Sequence, residues 1–205
     1  MKEGKEIKFL LTKSREMFMK YGVKNMSMDE IAKELGMSKK TIYQFVENKA
    51  ELVKLTLDDY LNEERRLLEN ILANSKNSVD QMIQMIDYFL QAMSDFNPSA
   101  LHDLQKYYPE SWLLYNNYRY QVMLGCINDN LKTGVKEGYY RKDLNADMIS
   151  KIYVFGTETL FNQDVFPSKK YMFLDIYREY LNYHLRGIVS HKGLKYLDEH
   201  NLFKS

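Results

Sequence analysis

Cysteine is nearly absent. Cys126 is the single one in 205 residues, so no internal disulfide can form and packing alone must hold the fold. It sits in an apolar helical stretch with Val122, Met123, Leu124 and Ile127, where a buried, inert thiol is the plainer expectation than a redox sensor. A chain without disulfides suits a reducing cytoplasm. Proline is scarce at 3 and glycine at 9, which leaves few breakers and disfavours a turn-rich β architecture. No segment approaches the roughly 20 apolar residues of a membrane span. The N-terminus does not read as a signal peptide, because Glu3 and Glu6 sit among lysines and Lys8 breaks the run Ile7–Leu11. The histidines His102, His184, His191 and His200 lack zinc-type spacing. There is no His-Glu-x-x-His, Gly-rich phosphate loop or Gly-x-Ser-x-Gly, so no metal, cofactor or enzymatic activity is expected.

Charge of one sign is also lacking, since the net charge is only +1. Its distribution is uneven. Residues 1–50 hold eleven Lys and Arg against seven Asp and Glu, and the remainder holds 18 against 21. A front of +4 on a body of −3 fits a modest electrostatic footprint on phosphates, and equally a solvated surface. What is present is ordinary globular material, 45% hydrophobic and 28% charged.

Apolar spacing predicts an all-α chain of about nine helices. Ile7, Leu10, Leu11, Phe18 and Tyr21 mark the first, which Gly22 stops. Ser27 with Glu30 forms a capping box that opens a short second helix ending at Gly36. Ser38 caps a third, to about Phe45, and Asn48 with Glu51 opens a long fourth. After the polar break 74–78, a fifth helix carries Val79, Met82, Ile86 and Met93. Asn97-Pro98-Ser99 starts a short sixth, and Pro109 a long seventh reaching about Glu137. Asn145 caps an eighth to about Phe161, Ser168 a ninth to about Val189, and Lys192–His200 is a turn or two more.

The stretch from Met28 to Phe45 carries the chemistry. Ala32 is small where two helices must approach. Gly36 stands where the turn needs a positive φ, and Ile42 returns to the core. Both helices are too short to be stable alone. Ser38, Lys39, Lys40, Thr41, Tyr43 and Gln44 are left facing outward. Hydroxyls and ammonium groups suit phosphate oxygens, while Gln44 and the lysines also reach base edges in a major groove. Ser27 and Met28, at one helix start, and Lys49, at another, can meet backbone phosphates. By spacing alone, a plain helical hairpin with a polar outer face fits as well.

The run Met28 to Leu52 resembles the DNA-binding domain of the TetR family of regulators, with the likeness extending over residues 6–53. The family's glycine-hydrophobic-serine, threonine-hydrophobic-tyrosine, phenylalanine and lysine fall at Gly36-Met37-Ser38, Thr41-Ile42-Tyr43, Phe45 and Lys49. Val46-Glu47 departs from the family pattern. The resemblance implies a three-helix head over residues 1–50, joined to a helical ligand-binding and dimerisation domain over residues 51–205. It implies phosphate contacts from Thr41, Tyr43 and Lys49, and base or nearby backbone contacts from Lys39, Lys40 and Gln44. The implied protein is a cytoplasmic homodimer that represses from a palindromic operator in double-stranded DNA until a small apolar or aromatic effector releases it. A helical protein-binding adaptor without DNA binding is the alternative.

The body is rich in aromatics. Met85, Phe89, His102, Tyr108, Trp112, Tyr115, Tyr118 and Phe155 are candidates to line an effector pocket, because aromatics supply apolar walls with polar tips. The eighth and ninth segments carry wide apolar arcs. Ile152, Gly156, Thr159, Tyr177, Tyr180, Leu181, His184 and Leu185 are candidates for a four-helix dimer interface, or else for the chain's own core.

Overall fold

Eleven α-helices account for most of the described chain, residues 2–94, 96, 97 and 99–199 of a computed structural model. Pro98 and His200 lie outside the described residues. The fold is all-α, and among the described residues the one β feature is an isolated antiparallel bridge between Tyr140 and Val189. The chain divides into two compact units, Met1–Arg65 with Asp95–Tyr118 and Arg66–Ser94 with Arg119–Ser205.

In the first unit, α1 (Lys2–Tyr21), α2 (Met28–Leu35) and α3 (Lys39–Ile42) pack with the start of α4 (Lys49–Asn74). Leu10, Ile31, Ile42 and Leu52 are completely buried there. Each such side chain contributes roughly 2–3 kcal/mol on leaving water. Two more helices, α6 (Ser99–Tyr107) and α7 (Pro109–Tyr118), belong to the same unit. The Asn97 amide donates to the Met19 carbonyl at 2.7 Å, and the buried Asp103 carboxylate accepts from the Lys24 amide at 2.8 Å. Lys8 and Arg15 of α1 reach Glu63 of α4, and Lys8 also reaches Asp59.

The second unit holds α5 (Ser78–Ala92), α8 (Leu124–Glu137), α9 (Ala146–Gly156), α10 (Phe173–Ile188) and α11 (His191–Glu199). Val79, Met82, Leu131, Leu181 and Leu185 form its fully buried centre. Tyr140 is pinned into it. Its hydroxyl lies 3.0 Å from the Ser78 carbonyl and 2.9 Å from Asn130 Oδ1, and Asn130 donates to Ser78 and Gln81. Gly134 is required by this ring, since a Cβ there would fall 2.1 Å from Tyr140 Cδ2.

Eleven helices rather than about nine result from two differences. The helix expected over 109–137 is interrupted by a π turn at Arg119–Met123. A π turn inserts a residue and shifts the faces, which lets Tyr118 and Arg119, adjacent in sequence, both be buried. The tail expected to be a turn or two forms α11, held by its Gly193 amide on the Ser190 hydroxyl. Asn145 caps α9 through the Met148 amide as expected, and a 3₁₀ segment continues to Phe161. Ser168 caps nothing. Its amide binds the Gln163 side chain, and α10 begins only at Phe173.

His184 sits in the second unit, stacked on Tyr153 with ring centroids 4.2 Å apart and its Nε2 buried without a partner. Burial holds its pKa down to about 4, against 6.5 for an exposed imidazole. The folded chain keeps it neutral while the unfolded chain protonates it, so this contribution is whole above pH 6.5 and lost as pH falls through 4. The full loss is about 3 kcal/mol. Urea unfolding at pH 7 and pH 4.5 is expected to show a smaller acid loss, by about 2 kcal/mol, for His184→Phe than for the native chain. Equal losses in both proteins would exclude a buried neutral imidazole.

Candidate nucleic-acid interface

The helix pair is assembled by its ends. The Ser27 Oγ accepts from the Glu30 amide at 3.2 Å, and Glu30 Oε2 accepts from the Ser27 amide at 2.7 Å. The Ser27 hydroxyl, which also donates to Glu30 Oε2 at 2.7 Å, and the Ser27 amide hold this carboxyl below the usual carboxylate range. At the other end Gly36 takes φ 62°, with its amide on Lys33 O and the Met37 amide on Ala32 O. This paired 5→2 and 6→1 arrangement satisfies two carbonyls that a short helix would leave open. The turn then delivers Ser38, whose Oγ accepts from the Thr41 amide at 3.0 Å and lies 2.8 Å from Thr41 Oγ1. Ile42, completely buried, anchors α3 from beneath.

With Ile42 turned inward, Ser38, Lys39, Lys40, Tyr43 and Gln44 are exposed. Lys39 pairs with Asp29 of α2 at 3.0 Å, which raises its pKa and ties the two helices across their outer edge. Lys40 lies on this short helix, and Tyr43 and Gln44 follow in the turn that closes it, so none can rotate away while Ile42 is buried. This set of donors and a flat ring can contact phosphates and base edges together.

Three expected contacts are modified by their surroundings. The Met28 side chain is buried in the unit's core, so only its backbone is left for a phosphate. Thr41 is half-buried, its hydroxyl engaged with Ser38. Lys49 folds back, its Nζ 3.3 Å from the Lys24 carbonyl and 5.9 Å from the Tyr108 ring centre. Burial holds this ammonium below the usual lysine range.

The expected pocket residues fall into two groups. Tyr108, Trp112 and Tyr115 are half-buried on the first unit's core, and Tyr118 is buried in the same unit. His102 is exposed on α6, so it is not a wall of a closed site. Met85, Phe89 and Phe155 pack on the second unit's core, with Phe89 stacked on Tyr177 at 4.2 Å. One polar residue escaped the sequence reading. Glu64 of α4 is buried beside Tyr118, and burial pushes its carboxyl up to about 7. Its signal was visible: it interrupts the apolar stripe Leu57, Leu61, Leu68 and Ile71 at a position where that stripe should be hydrophobic.

The dimer-face expectation needs correction. Tyr177, Leu181, His184 and Leu185 are buried in their own chain and cannot meet a partner. Tyr180 closes α9 onto α10 by donating to the Tyr153 carbonyl at 2.7 Å, and its hydroxyl fills the space a Cβ on Gly156 would need. The exposed apolar surface of these helices lies one step around, at Met148, Ile152, Met172 and Tyr183, with Thr159 also exposed.

Known proteins resemble this chain in sequence and in fold. Residues 10–55 match the family described as bacterial regulatory proteins, tetR family. A Bacillus subtilis (strain 168) protein described as an uncharacterized HTH-type transcriptional regulator, YvaF, is 24% identical over 147 residues, covering 70% of this chain and 74% of that one. A putative transcriptional regulator from Saccharomonospora viridis, solved in complex with choline, superposes with a TM-score of 0.75 at 18% identity, over 92% of this chain and 100% of that one. A TetR-family regulator from Agrobacterium tumefaciens does so with 0.74 at 15%, over 89% and 97%.

Nothing lies within 4 Å of a Cβ placed on Gly36, so the cost of a side chain there is purely its left-handed backbone. Gly36→Ala is therefore expected to destabilise the chain by about 1–2 kcal/mol in urea unfolding and to weaken duplex binding. Unchanged stability would mean that the turn does not need this conformation.

Proposed function

We propose that this chain is a DNA-binding transcriptional regulator of the TetR family, a homodimeric repressor that a small ligand releases from a palindromic operator. The observation that carries the DNA-reading half is the completely buried Ile42, which anchors α3 and leaves Lys40 on that helix, with Tyr43 and Gln44 in the turn after it, exposed. Lys40 and Tyr43 position the helix on phosphates, and Gln44 reads a base edge. A dimer presents two such helices to successive major grooves. Its contact in this reading combines Met148 and Ile152 on α9 with Met172, just before α10, and Tyr183 on α10. These four expose large apolar surface, and Met172 and Tyr183 also line a groove of about 550 Å³ together with Ile176 and Tyr180.

The effector in this reading is a small molecule with an apolar or aromatic body. Tyr108, Trp112 and Tyr115 offer half-buried aromatic surface, and the Glu64–Tyr118 pair offers one buried polar anchor in the same unit. The choline bound by the Saccharomonospora regulator makes a small ligand in such a fold reasonable. Release needs a ligand that binds the DNA-incompetent arrangement more tightly than the competent one. A compound that stabilises the chain but leaves operator affinity unchanged sinks the switch.

Gln44→Ala is expected to lose about 1–3 kcal/mol of preference at one base position, whereas Lys40→Ala weakens all duplexes alike and flattens the salt dependence. Competition binding against point-substituted duplexes separates them. Native chain without salt-dependent duplex binding would overturn the DNA reading and favour a protein-binding adaptor. Ile152→Asp together with Met148→Asp is expected to give monomers by sedimentation, with affinity for a full palindrome reduced to that of a half-site. A stable dimer carrying both changes would move the interface elsewhere.

A further inference from the structure

Close to the start of α2, and outside the helix pair itself, the first unit carries a second cationic group. Lys24 lies in the α1–α2 connection, three residues before the Ser27 cap. Its Nζ stands 5.0 Å from the centre of the Tyr107 ring, and Lys106 Nζ stands 5.4 Å from the same centre. Lys24, Lys106 and Tyr107 are all exposed. Tyr107 and Lys106 end α6, about 60 residues beyond the helix pair in sequence, so their meeting with Lys24 is purely tertiary. The position is fixed: Asp103, one turn back on α6, accepts the Lys24 amide at 2.8 Å, and the Lys24 carbonyl faces Lys49 Nζ at 3.3 Å. The two ammonium groups beside the ring hold the phenol below the usual tyrosine range, which makes its hydroxyl a stronger donor to an anion. Two ammoniums and a phenol gathered on one exposed patch form an anion-facing surface.

We propose that Lys24, Lys106 and Tyr107 form an accessory clamp on the DNA sugar-phosphate backbone, gripping phosphates that flank the bases read by α3. The neighbours set the partner. The patch lies three residues before the Ser27 cap, its Lys24 carbonyl holds the Lys49 ammonium, and it belongs to the same compact unit as α3. It contains no base-reading amide and no apolar pocket, so its contribution is independent of sequence. Because two of its members end α6, the clamp also makes operator affinity depend on where α6 is held, a dependence the helix pair alone lacks.

This rests on the DNA-binding reading, and the experiment separates the two. A duplex is selected from a random pool by the native chain. Native protein, Lys24→Ala with Lys106→Ala, and Gln44→Ala are titrated on it between 50 and 300 mM salt. The double variant is expected to bind about tenfold more weakly near 100 mM salt, with a log–log salt slope shallower by about 1–2 and an unchanged order of preference among point-substituted duplexes. Gln44→Ala is expected to keep the slope and lose the preference. Ethylation of flanking phosphates should weaken the native chain and leave the double variant unaffected. Lys106→Arg should restore the slope partly, which a folding defect would not allow. A double variant that binds within twofold of native at an unchanged slope overturns the clamp and leaves the DNA reading standing. A native chain that selects no duplex overturns both.

Discussion

The whole first unit depends on burying Ile42. Helix α3 has four residues, fewer than any isolated helix can sustain, and α2 has eight. Neither exists without the core formed by Leu10, Ile31 and Leu52. The caps complete what packing begins. Ser27 with Glu30, the Gly36 turn and Ser38 each satisfy backbone groups that two very short helices would otherwise expose in quantity. Once Ile42 is inside, the outward direction of Lys40, Tyr43 and Gln44 follows from helical geometry rather than from any contact of their own.

The same unit extends further along the chain than the helix pair. Asn97, Asp103 and Tyr107 come from the second hundred residues or their edge, yet they fix the backbone at Met19 and Lys24 and crowd the approach to Lys49. In the proposed DNA complex, the charge facing the duplex is therefore not a property of residues 1–50 alone. Lys106 adds to it, and the half-buried Lys49 takes part under a desolvation cost. This explains how a chain of net charge +1 can offer phosphates a concentrated positive field.

The second unit solves a different problem, the burial of polar groups in an aromatic-rich core. Tyr140, Asn130 and Ser78 satisfy one another around Gly134. Arg119 is buried at a π turn, donating to the Val154 carbonyl at 3.0 Å and pairing with Glu158 while its guanidinium lies over Phe155. Networks of this kind rigidify a core only when their members are all satisfied. Among the described residues of this unit, His184 Nε2, Ser78 Oγ and Asn128 Oδ1 are buried without a hydrogen bond, and burial beside Tyr153 keeps His184 neutral.

Taken alone, the sequence determined the all-α class, the capped ends at Ser27, Ser38 and Asn145, the Gly36 turn and the outward residues of α3. All of these are local, set by spacing and by backbone groups within four residues of one another. Tertiary structure decided what depends on which face of a helix meets which neighbour. It buried Tyr177, Leu181 and Leu185 in their own chain, folded Lys49 over Tyr108, left His102 outside and brought Lys106 to Lys24. Apolar periodicity marks a face as buried without naming what buries it, and a lysine's partners can lie 80 residues away. The π turn at Arg119 belongs to the same class, because its extra residue is repaid only by side chains that fold beneath it from α9.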